Sequence, residues 1–423
     1  MEKHFRGDKR RPIMKILHLM PYSPEPTISG GTLRIHHLLK HLAMRHDVTV
    51  ACFGDPGTSS LIGSAFQSKL EGVHVVPYPW VGRYRRLGQA YAHFTKFSFL
   101  QSIFISNEMQ ATINRLLDRR SFDVVQTEFC MMAAFRVGTD AVRILDAHNV
   151  EYDNFSRWAE NARSWLRKYH YRRESRKLLH EELEAYRRQD AIFVTSERDR
   201  AILSASVPDV PKFLVPNGVD TSYFRPAQTP SEPYSLVFTG MMGYVPNYDG
   251  MLYFLDEIFP LIQRAIPEAR IYIVGNKPPR VLLNRAAPNV VITGYVEDVR
   301  PYVWRSSVYV VPLRMGGGTR LKVMEAMAMK KPIVSTNIGC EGIDVKNGES
   351  VLIADRPEEF AASVVELLSN SALRGRLIEK SCELARSKYE WNVIGEQVER
   401  FIRKLTRPRP RFTLAGKEPA YER

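Results

Sequence analysis

Residues 316–326 read GGGTRLKVMEA: three glycines, a hydroxyl, two cations and one acid within eleven positions. Glycine permits close backbone approaches that a Cβ forbids, so Gly316, Gly317 and Gly318 suit a turn against which a bulky anion can lie. Apolar residues at 321, 324, 327 and 328 then follow a helical period. A helix start offers unpaired N–H groups and a partial positive charge, both favourable to phosphate. Cations in the first turn, here Arg320 and Lys322, oppose the helix dipole unless an anion compensates them. Glu325 lies seven residues beyond Gly318. On a helix counted from Gly318 that is roughly 10 Å, and a carboxylate accepts both hydroxyls of a ribose. The stretch therefore fits a nucleoside diphosphate, with phosphates at Gly318, Thr319, Arg320 and Lys322 and the ribose at Glu325. On these residues alone, a glycine turn leading into a charged amphipathic helix fits as well.

Other short stretches carry compatible chemistry. SGGTLR (29–34) is a second glycine turn opening a helix, and Gly30 and Gly31 are its phosphate-loop candidates. DAHNVE (146–151) ends a strand in His148, with Asn149 and Glu151 just beyond. GMMGYVPN (240–247) follows another strand and presents Gly240, Met241, Tyr244 and Asn247 without a cation. The sequence contains no Asp-x-Asp, and Cys52, Cys130, Cys340 and Cys382 form no metal-ligand cluster, so no metal is expected.

Strands and helices must bring these stretches together. Apolar runs at 14–20, 47–53, 73–77, 123–128, 142–147 and 190–195 predict strands in the first half. Runs at 235–240, 269–275, 289–294, 308–312, 332–336 and 350–354 predict them in the second. Helical periodicity fills most gaps, as in GMLYFLDEIFPLIQRAI. Such alternation predicts an α/β fold of two doubly wound, Rossmann-like domains with parallel sheets facing across a cleft. The first domain is expected over 14–217 and the second over 218–390, beginning in the polar, proline-containing linker 218–233. A helix over 391–406 is expected to cross back to the first domain. Residues 1–13 and 407–423 lack an apolar period and are expected to be disordered extensions.

At 423 residues, 44% apolar and 25% charged, the chain has a globular composition with room for two cores. Unpaired cysteines fit a reducing, cytoplasmic setting. The start of the chain reads as a first strand rather than a signal peptide, and no apolar run reaches membrane-spanning length. The net charge of +14 suits an anionic ligand or an anionic membrane surface. No zinc-finger or RNA-recognition pattern accompanies it, which argues against nucleic acid. Two stretches, 80–99 and 163–180, interleave cations with aromatics and are candidates for peripheral docking to anionic lipid, or else solvated helix faces.

Taken in order, LDAHNVE (145–151), FVTSERDR (193–200), VPNGVD (215–220), FTGMMGYVPNYDG (238–250), ITGYVEDVRPY (292–302) and PLRMGGGTRLKVMEAMAM (312–329) carry a specific likeness. They resemble the family-4 retaining glycosyltransferases of GT-B architecture over nearly the whole chain. Within them the likeness is greatest to bacterial sugar transferases accompanying exosortase-linked exopolysaccharide systems. The resemblance implies retaining transfer of a hexosyl unit from a nucleotide diphosphate sugar to a glycan or lipid-linked acceptor, without a cofactor. It implies that His148 contacts the donor, that Tyr295 and Val296 read the nucleobase, and that the SGGTLR loop closes over donor phosphate and acceptor. Of the family's Glu-x7-Glu pair, the second acid falls on Glu325 and the first on Gly317, where the backbone of Gly317, Gly318 and Thr319 must substitute. The family's Arg and Lys of the 240–247 loop are also absent, leaving Lys322 and Arg320 to supply the charge. Two further readings remain open: a sugar-nucleotide epimerase of the same architecture, and a catalytically silent nucleotide-sugar binding protein.

Overall fold

The computed structural model describes residues 12–27, 29–67, 69–79, 95–162, 164–227, 230–316 and 318–406. Gly317, most of the first basic stretch, the start of the second, nearly all of the N-terminal extension and the 407–423 tail lie outside the described residues.

Seven parallel strands form the first sheet: β1 (Lys15–Met20), β2 (Asp47–Phe53), β3 (Gly72–Val76), β4 (Val124–Glu128), β5 (Val142–Ala147), β6 (Ala191–Val194) and β7 (Lys212–Leu214), in the order β3-β2-β1-β4-β5-β6-β7. Six parallel strands form the second: β8 (Ser235–Thr239), β9 (Arg270–Val274), β10 (Val290–Gly294), β11 (Val308–Val311), β12 (Ile333–Ser335) and β13 (Leu352–Ile353), in the order β10-β9-β8-β11-β12-β13. Strand order reverses between β1 and β4 in one sheet and between β8 and β11 in the other. In open α/β sheets ligands bind beyond the carboxyl ends of the strands at such reversals. Each predicted strand is present; β7, short and half-buried at an edge, is the one that the apolar pattern did not signal.

The helices that matter below are α1 (Gly30–Ala43), α2 (Glu151–Asn161), α3 (Trp165–Arg187), α4 (Glu197–Ser206), α5 (Val245–Tyr253), α6 (Leu321–Ala328) and α7 (Trp391–Thr406). Strands buried on both faces read as continuous apolar runs, because alternate residues enter different cores. In β1, Ile16 and Met20 pack with α1 and α7, while Leu17 and Leu19 pack on the opposite side with Met109 and Ile113. Trp391, Ile394, Val398 and Ile402, spaced at helical period along α7, enter the first domain's core. The two chain crossings run side by side, with the Val219 N–H donating to the Tyr389 carbonyl at 2.7 Å. A Cβ on Gly218 would come within 2.7 Å of the Trp391 ring, so glycine permits this crossing.

Candidate functional site

The second sheet's reversal holds the glycine-rich stretch. The chain leaves β8 at Gly240 and leaves β11 toward Gly316 and Gly318, both at positive φ (118° and 76°). Glycine suits these left-handed conformations at low cost. At Gly240, a Cβ would lie 2.7 Å from Lys322 Nζ and 2.9 Å from the Asn247 amide nitrogen, so the lysine reaches the strand end only because no side chain is there. Lys322 Nζ donates to Asn247 Oδ1 at 2.8 Å and lies 3.9 Å from the centroid of the Phe238 ring. Asn247 in turn donates to the Met241 carbonyl at 2.9 Å, making it a prop for the loop. Burial, together with the nearby Arg320 charge, lowers the Lys322 ammonium to about 7, against the pull of Glu325. Burial raises the Glu325 carboxyl to about 7, opposed by Lys322. The Glu325 carboxylate has no hydrogen bond to any described residue.

Two sequence expectations need correction here. Helix α6 begins at Leu321, not at Gly318, so Glu325 stands only four residues into the helix, ~6 Å along its axis. Arg320 is not a cation open to the helix start. It is buried, its Nε donates to the Ile338 carbonyl at 3.3 Å, and a Cβ on Gly316 would lie 3.1 Å from its guanidinium. Arg320 therefore braces the glycine turn from within. Met241, Tyr244 and Tyr295 are exposed, whereas Val296 packs against the second domain's core.

The first sheet's reversal is built differently. Ser29 caps α1: its hydroxyl accepts from the Thr32 N–H at 3.2 Å, while its own N–H donates to Thr32 Oγ1 at 2.9 Å. Gly30 faces the second domain, where a Cβ would meet Leu321 Cδ1 at 3.3 Å. At Gly31 a Cβ would run into the Tyr22 hydroxyl. Behind this turn lies a buried polar network that the sequence reading missed. Strand register places His18 opposite Gln126 and Glu128 opposite Asp146. Glu128 receives His18 Nε2 at 2.5 Å, Gln126 Nε2 at 2.8 Å and His148 Nε2 at 2.6 Å. Arg34 on α1 clasps Asp146 with two hydrogen bonds, at 2.9 and 3.0 Å, and reaches the Pro216 carbonyl at 3.0 Å. An acid at each strand's carboxyl end was the available signal; one partner of each, His18 for Glu128 and Arg34 for Asp146, lay more than a hundred residues away.

Glu128, Asp146 and His148 offer metal-ligating atoms within 4.8 Å of one another. Arg34 occupies both oxygens of Asp146, and His18, Gln126 and His148 occupy those of Glu128, so this donor set is already satisfied by the chain's own donors. Among the described residues it is the one such group.

His148 brings Asn149 and Glu151 to the cleft edge. The Asn149 amide donates to Glu151 Oε1 at 3.2 Å, and burial raises the Glu151 carboxyl above its usual range despite that bond. Glu182 on α3 caps α2 by accepting the Glu151 and Tyr152 N–H groups, each at 3.0 Å, and burial pushes it up to about 8. Across the cleft, Asn149 Oδ1 lies 3.3 Å from where a Cβ on Gly318 would sit. Arg157 of α2 and Arg198 of α4 bind Glu341 of the second domain at 3.3 and 3.9 Å. The space lined by these residues, Thr319 and Gly342 is about 20 Å³, room for a single water. The two glycine turns and His148 thus share one interdomain cleft.

The family model described as Glycosyltransferase Family 4 matches residues 28–223, and the model described as Glycosyl transferases group 1 matches residues 233–370. The chain is 26% identical over 171 residues to the lipopolysaccharide core biosynthesis mannosyltransferase LpsB of Rhizobium meliloti, covering 36% of this chain and 47% of that protein. It is 27% identical over 149 residues to a phosphatidyl-myo-inositol mannosyltransferase of Propionibacterium freudenreichii, covering 34% and 37%. The matches thus span less than half the length of these curated relatives. Its fold resembles that of Anabaena HepE, solved in complex with UDP and glucose, with a TM-score of 0.65 at 14% identity over 92% of this chain and all of that one. Two facing parallel-sheet domains of GT-B architecture, matched in turn by these two models, make the chain a member of the family-4 glycosyltransferases.

Proposed function

We propose that the protein is a retaining glycosyltransferase that moves a hexosyl unit from a nucleotide diphosphate sugar to a glycan or lipid-linked acceptor in exopolysaccharide or other cell-envelope glycan synthesis. The observation that carries this reading is the Glu325 carboxylate, which has no hydrogen-bond partner among the described residues and stands four residues into the helix that opens from the glycine turn. A half-buried carboxylate near a half-buried ammonium, without an ion pair between them among the described residues, is costly to keep. A ribose on Glu325 and a diphosphate at the start of α6 would relieve both. The names of the mannosyltransferase relatives, and the UDP and glucose bound by HepE, support a sugar-nucleotide donor and an envelope glycan.

In this mechanism the C1–O bond to the β-phosphate breaks while the acceptor oxygen bonds to C1 from the same face. The acceptor's proton passes to the departing phosphate. The developing charge meets N–H groups of the glycine turn and Lys322, a preorganised electrostatic stabilisation. Anion binding restores the full charge of Lys322. No metal bridge is invoked, since Glu128 and Asp146, the acids of the one candidate metal-ligating group among the described residues, already accept from Arg34, His18, Gln126 and His148.

A thermal-shift screen against sugar nucleotides, followed by the anomeric configuration of the product, tests the reading. One donor should raise the melting temperature and give a product of unchanged anomeric configuration, with activity indifferent to EDTA. An inverted product, or a loss on chelation that a divalent cation restores, would overturn the respective claim. Turnover without acceptor would identify an epimerase, and binding without turnover a silent binding protein.

We further place the acceptor at the cytoplasmic face of an anionic membrane. Near its N-terminus α3 exposes Trp165, Leu166 and Tyr169 beside Arg167 and Arg172, and no described helix is long and apolar enough to cross a bilayer. Replacing Arg167, Lys168, Arg172 and Arg173 by Gln should release the protein from anionic vesicles, at about 1 kcal/mol per cation. Binding indifferent to lipid charge and salt would leave α3 an ordinary solvated helix.

A further inference from the structure

His148 is held on two sides. Phe129 stacks on its face, ring centroids 3.8 Å apart at 19°. Phe129 does so from a backbone φ of 63°, a conformation that a bulky residue keeps only where surrounding structure enforces it. At the ring's edge, Nε2 meets Glu128 Oε2 at 2.6 Å. Nδ1 makes no hydrogen bond among the described residues. His18, Gln126 and Glu128 supply the buried polar side, Arg34 and Asp146 stand beside it, and Glu151 on α2 and Tyr22 face it from the cleft.

The chemistry of this cluster has one consistent assignment. Burial would push the Glu128 carboxyl up, but the hydrogen bonds from His148 Nε2 and His18 Nε2 outweigh it and hold it below the usual range. An ionised carboxylate only accepts. The nitrogens facing it must therefore each carry a proton, on His148 as on His18. We propose that Glu128 is the positioning residue for His148: it takes Nε2–H, sets the tautomer and ring plane, and leaves Nδ1 as the atom that meets the donor substrate. This goes beyond a histidine merely present at a strand end, because the identity of the contacting nitrogen is fixed from behind. The kinetic arm of its test rests on the transfer reading above; the spectroscopic arm does not.

Glu128→Gln gives the sharpest test. Two donors, His18 Nε2 and Gln126 Nε2, face the Oε1 position, so the new amide oxygen stays there and its NH2 turns to His148. His148 Nε2 must then accept, and its proton moves to Nδ1. Nitrogen-15 shifts of labelled histidines should show a protonated His148 Nε2 in the wild type and a bare Nε2 in Glu128→Gln. Glu128→Asp, which keeps the charge, should keep the wild-type tautomer. In a transfer assay Glu128→Gln should lower kcat on the order of tenfold or more, with donor KM little changed. It should lower kcat no further in a His148→Ala background. A bare Nε2 in the wild type, or an equal loss from Glu128→Gln with and without His148, would overturn the proposal. Should Glu128→Gln not fold, the wild-type spectrum still decides. Absence of transfer with every sugar nucleotide would refute the proposed function and leave the tautomer result standing.

Discussion

The two sheet reversals face one cleft and treat charge in opposite ways. In the first domain, Glu128 and Asp146 are buried and every carboxylate oxygen has an internal donor. In the second, among the described residues, Glu325 has no side-chain hydrogen-bond partner, and Lys322 has a single acceptor, the Asn247 amide oxygen, for its ammonium. Buried carboxylates whose oxygens all have internal donors tolerate desolvation, and such a network changes little when ligand arrives. An open pair stays poorly compensated until a ligand supplies the missing groups. The first reversal therefore orients, and the second binds.

Substitutions should separate these two behaviours. The largest effect is expected from Arg34→Leu, which strands Asp146 without a cation. About 3–5 kcal/mol of stability should be lost, read from the urea midpoint at unchanged slope. A loss under 1 kcal/mol would mean that the network is not closed as described. Next, His148→Ala should reduce transfer on the order of 100-fold, worth ~2.7 kcal/mol, while nucleotide affinity holds. If melting temperature and nucleotide affinity fall in step with activity, His148 is a structural prop. Glu325→Ala should cost nucleoside diphosphate affinity about 1–3 kcal/mol by calorimetry. Stability should barely change, because the carboxylate has no hydrogen-bond partner among the described residues to lose; unaltered affinity would remove the ribose from this site.

The smallest effect concerns pH. Lys322, lowered to about 7, is charged below that pH and loses its charge above it, so phosphate affinity should fall on the alkaline side. Glu325, raised to about 7, is charged above that pH and neutral below it, so the ribose contact should weaken on the acid side. Nucleotide affinity should peak near pH 7, with limbs no steeper than about tenfold per pH unit for one proton each. Lys322→Met should flatten the alkaline limb alone. A limb that survives the substitution belongs to another group.

How much was legible from the sequence followed the range of the interactions. Strands such as YVV and AIFV announce themselves because both faces are buried, while β7, three residues at a half-buried edge, carries too little pattern to stand out. The glycine turns before α6 and α1 were legible because glycine's backbone freedom acts within a few residues, whereas the Ser29 cap emerged only in the structure. The helix start was placed three residues early, since Gly318, Thr319 and Arg320 stay outside the helix to carry the turn. Arg320, a phosphate candidate by its position, is buried, and its Nε donates to the Ile338 carbonyl eighteen residues on, a partner that sequence position did not signal.

The sequence by itself determined the alternation of strands and helices, the two-domain plan and the glycine, lysine and acid of the second reversal. Each is a local consequence of burial pattern or backbone freedom. Tertiary structure alone decided that His18, Glu128 and His148 meet, that Arg34 neutralises Asp146, and that Lys322 turns toward Gly240. Those pairings depend on parallel register and on the crossing of α1 over the sheet. They join residues separated by as many as 112 positions, where no local propensity reaches.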